Sequence, residues 1–253
     1  MASTLNNKAV SLLHEGRIPE ALRLCKSAIA NLRTTVNQLE QHQQGSGAFF
    51  RSSDQASWGS FEACSVVATS CKAPWQNLLA SAPSPLFQVY TKAFVFRHDP
   101  AQEQHKTSWP DGGQSFQASL ILYNTALMHH LLGLCTSSSR KMQIAKSLYE
   151  QAYECALRCF RRMTADQNPR MIIPSSLYLI RMACCNNLGH IHSLGMDDQR
   201  MSMCLQDIRS CLAQVEQASI DVDPLSEDYA VFLTCVLLGD AMGLPHFRTA
   251  PTA

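Results

Sequence analysis

Residues 183–192 have the sequence ACCNNLGHIH, in which two adjacent cysteines precede two histidines. Four such side chains could indicate a zinc site or the packed face of a helix. A helix turns by about 100° per residue, so His190 and His192 point in nearly opposite directions. Cys185 and His192 share a face but lie about 10 Å apart along the axis, too far for one zinc ion. We therefore predict a helix without a metal, with Cys185 and His192 packed inside and His190 on a binding surface.

The composition is that of a globular protein with a nearly neutral surface. Apolar residues make up 46% of the 253 residues and charged residues 16%, and 21 Lys plus Arg face 20 Asp plus Glu. Without a basic excess or stripe we expect no nucleic-acid partner. The N-terminal residues show no signal-peptide pattern, and the most apolar run, 230–238, is about half a bilayer span. We expect an intracellular protein, cytoplasmic or nuclear, without a membrane partner.

Apolar residues recur at intervals of three and four along most of the chain, which predicts seven helices and an all-α fold of antiparallel hairpins. The helices are expected at about 2–14, 18–41, 115–134, 139–164, 174–194, 197–218 and 225–242. Ser139 and Asp197 or Asp198 are expected to cap helices. The last helix would cap the stack and turn its polar side, with Glu227 and Asp228, to water. The odd number of cysteines, 11, favours free buried thiols over a disulfide framework.

Residues 45–114 differ from the flanking helices, because they combine Gly, Ser and Pro punctuation with all three tryptophans. Within them LFQVYTKAFVFRHDP (86–100) alternates and is rich in β-branched and aromatic residues, which predicts a strand or a short pair of strands. We expect one domain. It comprises a first hairpin over 1–44, this insertion with its minor β element, two hairpins and the capping helix over 115–243, and a flexible tail over 244–253.

The hairpins share a pattern. Cys185, Leu188, Gly189 and His192 fit Trp-x2-Leu-Gly-x2-Tyr, and looser matches occur at Leu122, Thr125, Ala126 and His129 and at Leu5, Lys8, Ala9 and Leu12. An asparagine precedes each Leu-Gly position, at Asn7, Asn124 and Asn187.

On the second helices a small or apolar residue recurs with a spacing of four then three, starting at Ala21, Ala145 and Met201. The second of these starts seven positions late (145 − 126 = 19, against 21 − 9 = 12), which predicts a wider turn there.

Close crossing of two helices requires small residues, so the pattern predicts a structural core of Ala9, Ala21, Ala28, Ala126, Ala145, Ala152, Leu188, Gly189 and His192. Gly189 is expected to face Met201.

By these residues the chain resembles the tetratricopeptide-repeat-like (TPR-like) superfamily over residues 2–41 and 115–242. The stretch NNLGHIH followed by a long second helix is similar to TPR-like proteins found in large sets in single-celled algae. The distance from Asn124 to Asn187 (187 − 124 = 63 residues) exceeds the family period of about 34. The resemblance implies a right-handed superhelix whose concave groove binds a peptide or protein, without catalysis or a cofactor.

The side chains expected to face that groove are Asn6, Val10, Tyr123, Asn124, Leu127, His130, Asn186, His190 and Ser193. They include no Lys or Arg to hold a peptide carboxylate, so we expect a neutral, partly apolar peptide, or the chain's own residues 45–115, as occupant. The predicted function is a protein–protein interaction scaffold or adaptor. The alternative is an enzyme or metal-dependent regulator that uses a His/Cys cluster, such as His129, His190 and His192, assembled by the stack. No nucleotide-binding or hydrolase motif occurs in the sequence.

Overall fold

The computed structural model describes residues 1–45, 64–70, 86–98, 112–165, 173–217 and 226–244. Over this part of the chain 81% of the residues are helical, in seven helices, and a small two-stranded sheet accompanies them. The predicted all-α class is confirmed. Of the predicted tail only Leu244 is described, and residues 166–172 and 218–225, which lie at or near the junctions between predicted helices, are outside the described residues.

The helices follow the predicted order, with ends at most four residues from the predicted ones. They are α1 (Ala2–His14), α2 (Ile18–Gly45), α3 (Gly112–Cys135), α4 (Ser139–Ala165), α5 (Ser175–Leu194), α6 (Asp198–Gln217) and α7 (Ser226–Ala241). Strands β1 (Cys64–Ser70) and β2 (Lys92–His98) pair antiparallel, with Val67 opposite Val95. β2 lies inside the predicted strand region, whereas β1 comes from a stretch where no strand was predicted.

The helices pack as hairpins in series. α1 contacts α2, α3 contacts α4 and α5 contacts α6, and each second helix contacts the first helix of the next hairpin. The first helices also contact one another in order, α1 with α3 and α3 with α5, and α5 contacts the last helix, α7. β2 packs against α1 and α3. The first helices therefore form one continuous surface, and β2 lies on it.

All three hairpins close with the same three-residue turn. The middle residue of each turn has a left-handed backbone: Gly16 (φ 77°), Ser137 (φ 47°) and Met196 (φ 52°). The residue after it donates its N–H to a carbonyl five positions earlier, from Arg17 to Leu12 (2.9 Å), Ser138 to Gly133 (2.9 Å) and Asp197 to His192 (3.1 Å). This is the Schellman motif, which satisfies carbonyls at a helix end.

The wider turn predicted for the second hairpin is therefore wrong. Ser137 follows Asn124 by 13 positions, whereas Gly16 follows Asn7 by nine, so four of the seven additional residues lengthen α3 (13 − 9 = 4). The other three lengthen the start of α4 (7 − 4 = 3). The turn keeps its length because its hydrogen bonds involve only the residues next to the helix end.

Short polar side chains cap two of the second helices. Asp197 accepts a hydrogen bond from the Arg200 N–H (3.1 Å) at the start of α6, as predicted. At the start of α4 the cap is Ser138, whose Oγ accepts from the Lys141 N–H (3.4 Å), one residue before the predicted Ser139.

Helix α3 is the one described helix that is long and apolar enough to cross a membrane, over Gly113–Cys135. The most apolar 18-residue stretch of α3 is 67% buried inside the protein. A core helix has the same composition, so α3 is weak evidence for a membrane span.

The prediction that α7 turns a polar side to water is wrong in part. Glu227 is exposed, but Asp228 is only 5% exposed. The outward side of α7 is instead largely apolar, with exposed Val231, Leu233, Leu237 and Leu238. Asp228 is buried because its carboxylate bonds Tyr90 and Lys92, which belong to the segment that lies on the first helices.

The shared turn allows a matched stability test. Gly16→Ala should lower the free energy of unfolding by about 1 kcal/mol, because a Cβ disfavours the left-handed backbone. Met196→Gly at the same turn position should change stability in the opposite direction. The control is Gly195→Ala, since Gly195 has an ordinary backbone (φ −92°) and room for a Cβ. Urea denaturation measures all three, and equal stability of Gly16→Ala and Gly195→Ala would contradict the assignment.

Candidate functional site

Each first helix of the three hairpins directs one asparagine at the same extended piece of chain. We call Asn7 of α1, Asn124 of α3 and Asn187 of α5 the asparagine face, and residues 86–98 the clamped segment. In each asparagine Oδ1 accepts the N–H of one segment residue and Nδ2 donates to the C=O of that same residue. The N–H and C=O distances are 2.8 and 2.6 Å for Asn7 with Phe96, 2.9 and 2.7 Å for Asn124 with Phe94, and 2.8 and 3.1 Å for Asn187 with Tyr90.

The chemistry of the amide side chain explains this recurrence. Asparagine carries an acceptor oxygen and a donor nitrogen, the same pair of groups that a neighbouring strand presents. In an extended strand the N–H and C=O of alternate residues point to opposite edges. The N–H and C=O groups of Phe94 and Phe96 point to the asparagines. Those of Val95 and of its neighbours two positions away therefore point to β1. The asparagine face therefore takes the place of a third strand.

Burial makes these contacts important for stability. Asn124 and Asn187 are fully buried, and so is the Phe94 side chain. A buried backbone N–H or C=O without a partner costs about 1–3 kcal/mol. The helix backbones cannot supply partners, because their own groups are used within the helices. The clamped segment can lie on the first helices only where side chains bond its backbone.

Several of the predicted groove residues contact this segment. Asn6 Nδ2 donates to the Phe94 carbonyl (3.0 Å), Asn186 Nδ2 to the Gln88 carbonyl (2.6 Å), and the Tyr123 hydroxyl to the Tyr90 carbonyl (3.0 Å).

Other predicted groove residues lie elsewhere. Leu127 is fully buried, and Ser193, half-buried, donates to the His190 carbonyl (2.7 Å). The surface predicted to be open to a partner thus carries a piece of this chain.

Sequence reasoning missed Asn7 and Asn187 as functional side chains. The signal was present, because an asparagine recurs at the same position before each Leu-Gly site. The predicted groove set contained their neighbours Asn6 and Asn186 instead, one position away. Adjacent helix residues differ by about 100° in direction, and here both of each pair reach the clamped segment.

Gly189 leaves room for the clamped segment. A Cβ on Gly189 would lie 2.4–2.6 Å from ring atoms of Phe87, which is fully buried. The expectation that Gly189 faces Met201 is therefore corrected, because the aromatic ring occupies the space beside it. All nine residues of the predicted structural core are buried: Ala9, Ala21, Ala28, Ala126, Ala145, Ala152, Leu188, Gly189 and His192.

Two histidines meet beneath the asparagine face. His130 Nε2 lies 3.1 Å from His190 Nδ1, with 0% and 1% of the two residues exposed. The Tyr149 hydroxyl lies 3.4 Å from His130 Nδ1 and accepts a hydrogen bond from Asn187 (3.0 Å). A buried hydrogen-bond chain thus runs from one clamping asparagine to the histidine pair.

This arrangement corrects two expectations. His190 does not point to a binding surface, and the histidines that meet are His130 and His190 rather than His129, His190 and His192. Burial lowers the pKa of His190 to about 4 and that of His130 well below its ordinary value. Both rings are therefore neutral at neutral pH, so one nitrogen of the pair donates and the other accepts.

The cysteines have the character of packing residues. All nine cysteines with described side chains are free, and seven of them are buried. Burial raises the pKa of the Cys184 and Cys185 thiols well above the ordinary value. A protonated thiol is a poor nucleophile and a poor metal ligand. Within the described ranges no three His, Cys, Asp or Glu side chains are arranged to hold a metal ion.

Comparison with models of protein families, with curated proteins and with solved structures finds no match to this chain. The functional interpretation therefore depends on the geometry of the asparagine face and the clamped segment.

The stabilising role of the face is testable at Asn124. Asn124→Ala leaves the Phe94 N–H without its partner, while the Phe94 C=O keeps the hydrogen bond from Asn6, and should lower the free energy of unfolding by about 2 kcal/mol. The Phe94 amide should also exchange faster with solvent. Gln143→Ala, an exposed change on α4, should alter stability by less than about 0.5 kcal/mol. Unchanged protection of the Phe94 amide in Asn124→Ala would contradict the clamp.

The buried histidine pair predicts a pH dependence. The pKa of His190 falls from 6.5 to about 4 on folding because of burial, so between these values the unfolded chain binds more protons. Stability should be fully present above about pH 6.5 and decrease as the pH falls towards about 4. Urea denaturation across this range measures it, and His190→Gln should flatten the profile. A wild-type profile as flat as that of the variant would exclude this origin.

Proposed function

We propose that the chain is a protein–protein interaction scaffold, a TPR-like stack whose asparagine face binds an extended peptide segment. One observation carries the proposal: three asparagines on successive first helices each bond both backbone groups of one extended residue. Such contacts suit any extended chain, because every residue except proline offers the same N–H and C=O. This is how a surface recognises a peptide by its main chain.

The packing supports a TPR-like stack. Each hairpin closes with the same turn and packs against the next hairpin, which gives a quasi-one-dimensional array in which each unit needs the next to cover its apolar side. The first helices of such an array present a shared surface, and here that surface carries the asparagine face. The resemblance to the TPR-like superfamily predicts the same division between first and second helices.

The clamped segment supports the choice of an extended peptide as the proposed ligand. It is extended over residues 86–98, binds through its backbone, and inserts apolar side chains such as Phe87 and Phe94. A partner that binds in trans at this face has to displace it, so we propose that the segment is an internal ligand that competes with partners. The proposed partner is a protein or peptide, in an intracellular setting, and not a nucleic acid or a membrane.

We propose binding without catalysis. The alternative, chemistry by a His/Cys cluster, would need groups that a substrate reaches in a reactive protonation state. His130 and His190 are buried and neutral, and the nearby Cys184 thiol is buried and protonated. These features favour a structural role for the histidine pair beneath the face.

The proposal is tested by capture of partners with the full chain as bait in an extract of cells that express it. The double variant Asn124→Ala, Asn187→Ala removes two clamps and should lose the partners that the wild type retains. Gln143→Ala should retain them, since its side chain is exposed on α4. Circular dichroism has to show equal helicity of the baits. An unchanged set of partners on the double variant would place the binding surface elsewhere.

A further inference from the structure

The backbone contacts of the asparagine face do not distinguish one sequence from another, so any selectivity has to come from contacts with side chains of the occupant. Two side chains of the clamped segment bond the same carboxylate. The Tyr90 hydroxyl donates to Asp228 Oδ1 (2.8 Å), and Lys92 Nζ lies 2.8 Å from the same oxygen. Glu227 is a weaker second partner of Lys92, at 3.5 Å, and is 90% exposed.

These contacts lie in a shielded environment on α7. Asp228 is 5% exposed, and the Tyr90 ring packs against Phe232 one helical turn further on, with centroids 5.2 Å apart. A buried carboxylate needs its hydrogen bonds and its counter-charge, because desolvation penalises the charged form strongly. The clamped segment supplies both to Asp228: Tyr90 donates the hydrogen bond, and Lys92, two positions later, brings the counter-charge.

We propose that Asp228 is the specificity-determining residue of the asparagine face and selects extended peptides that carry a tyrosine followed two positions later by a lysine. This rests on the proposed function. The aromatic residues at 94 and 96 complete the preferred sequence, because Phe94 and Phe96 are buried and Phe94 packs edge-on against Tyr123 at 4.9 Å. The ligand class is therefore a basic-aromatic segment of the form Tyr-x-Lys-x-Phe-x-Phe.

The same contacts provide a way to release the internal ligand. Lys92→Glu in the protein places a carboxylate beside Asp228 and Glu227, which weakens the hold on the clamped segment without altering the face. A partner then finds a larger fraction of the face free, and its apparent affinity rises by the same factor. Lys26→Glu, an exposed change on α2, introduces the same charge difference as a control.

The experiment uses the full chain and a fluorescent synthetic peptide, LFQVYTKAFVFRH (residues 86–98), with binding followed by anisotropy. We expect the Lys92→Glu protein to bind this peptide at least tenfold more tightly than the wild type or the Lys26→Glu control. On the Lys92→Glu protein, a peptide carrying Lys92→Glu should bind at least tenfold more weakly than the native peptide. Adding Asp228→Asn to the protein should reduce that preference to less than threefold.

The outcomes separate this inference from the proposed function. If both peptides bind the Lys92→Glu protein equally well, the face binds peptides without selection by Asp228, and only this inference is overturned. If neither peptide binds any variant, the face does not bind peptides in trans, and the proposed function fails with it. Should circular dichroism show that Lys92→Glu does not fold, Lys92→Gln replaces it with the same expected order of affinities.

Discussion

A strand that lies between a partner strand and a layer of helices has one edge whose N–H and C=O groups need partners, and helices cannot provide them from their backbones. In this protein asparagine side chains meet that requirement. Asn7 and Asn124 bond the edge of β2 that β1 leaves open, and Asn187 bonds Tyr90 before the strand begins. The position of the clamped segment on the first helices depends on these contacts.

The same contacts fix the register of the segment. A shift by one residue would turn the N–H and C=O of Phe94 away from Asn124, and would move the buried aromatic side chains to the opposite side. The buried network adds to this selection, because Asn187 also bonds the Tyr149 hydroxyl, which leads to the His130–His190 pair. The hydrogen-bond chain ends at His190 Nε2, which has no hydrogen-bond partner within the described residues.

Much of the fold could be predicted, because helices are local structures. The spacing of apolar residues placed all seven described helices, and Asp197 marked a cap whose hydrogen bond involves residues close in the chain. The recurrence of Asn7, Asn124 and Asn187 was also visible in the sequence. The role of these asparagines could not be predicted, because the residues that they bond lie between 30 and 97 positions away.

Sequence alone thus determined the all-α class, the serial hairpins and the repeated asparagines, since each depends on periods and spacings within a few helical turns. Only the tertiary structure decided what those asparagines bind, why Gly189 has no side chain, and why His130 and His190 are neutral. The first two properties come from Phe87, Phe94 and their neighbours in a distant part of the chain, and the third comes from the meeting of His130 and His190 in the interior. Burial lowers the pKa of both histidines and so keeps them neutral.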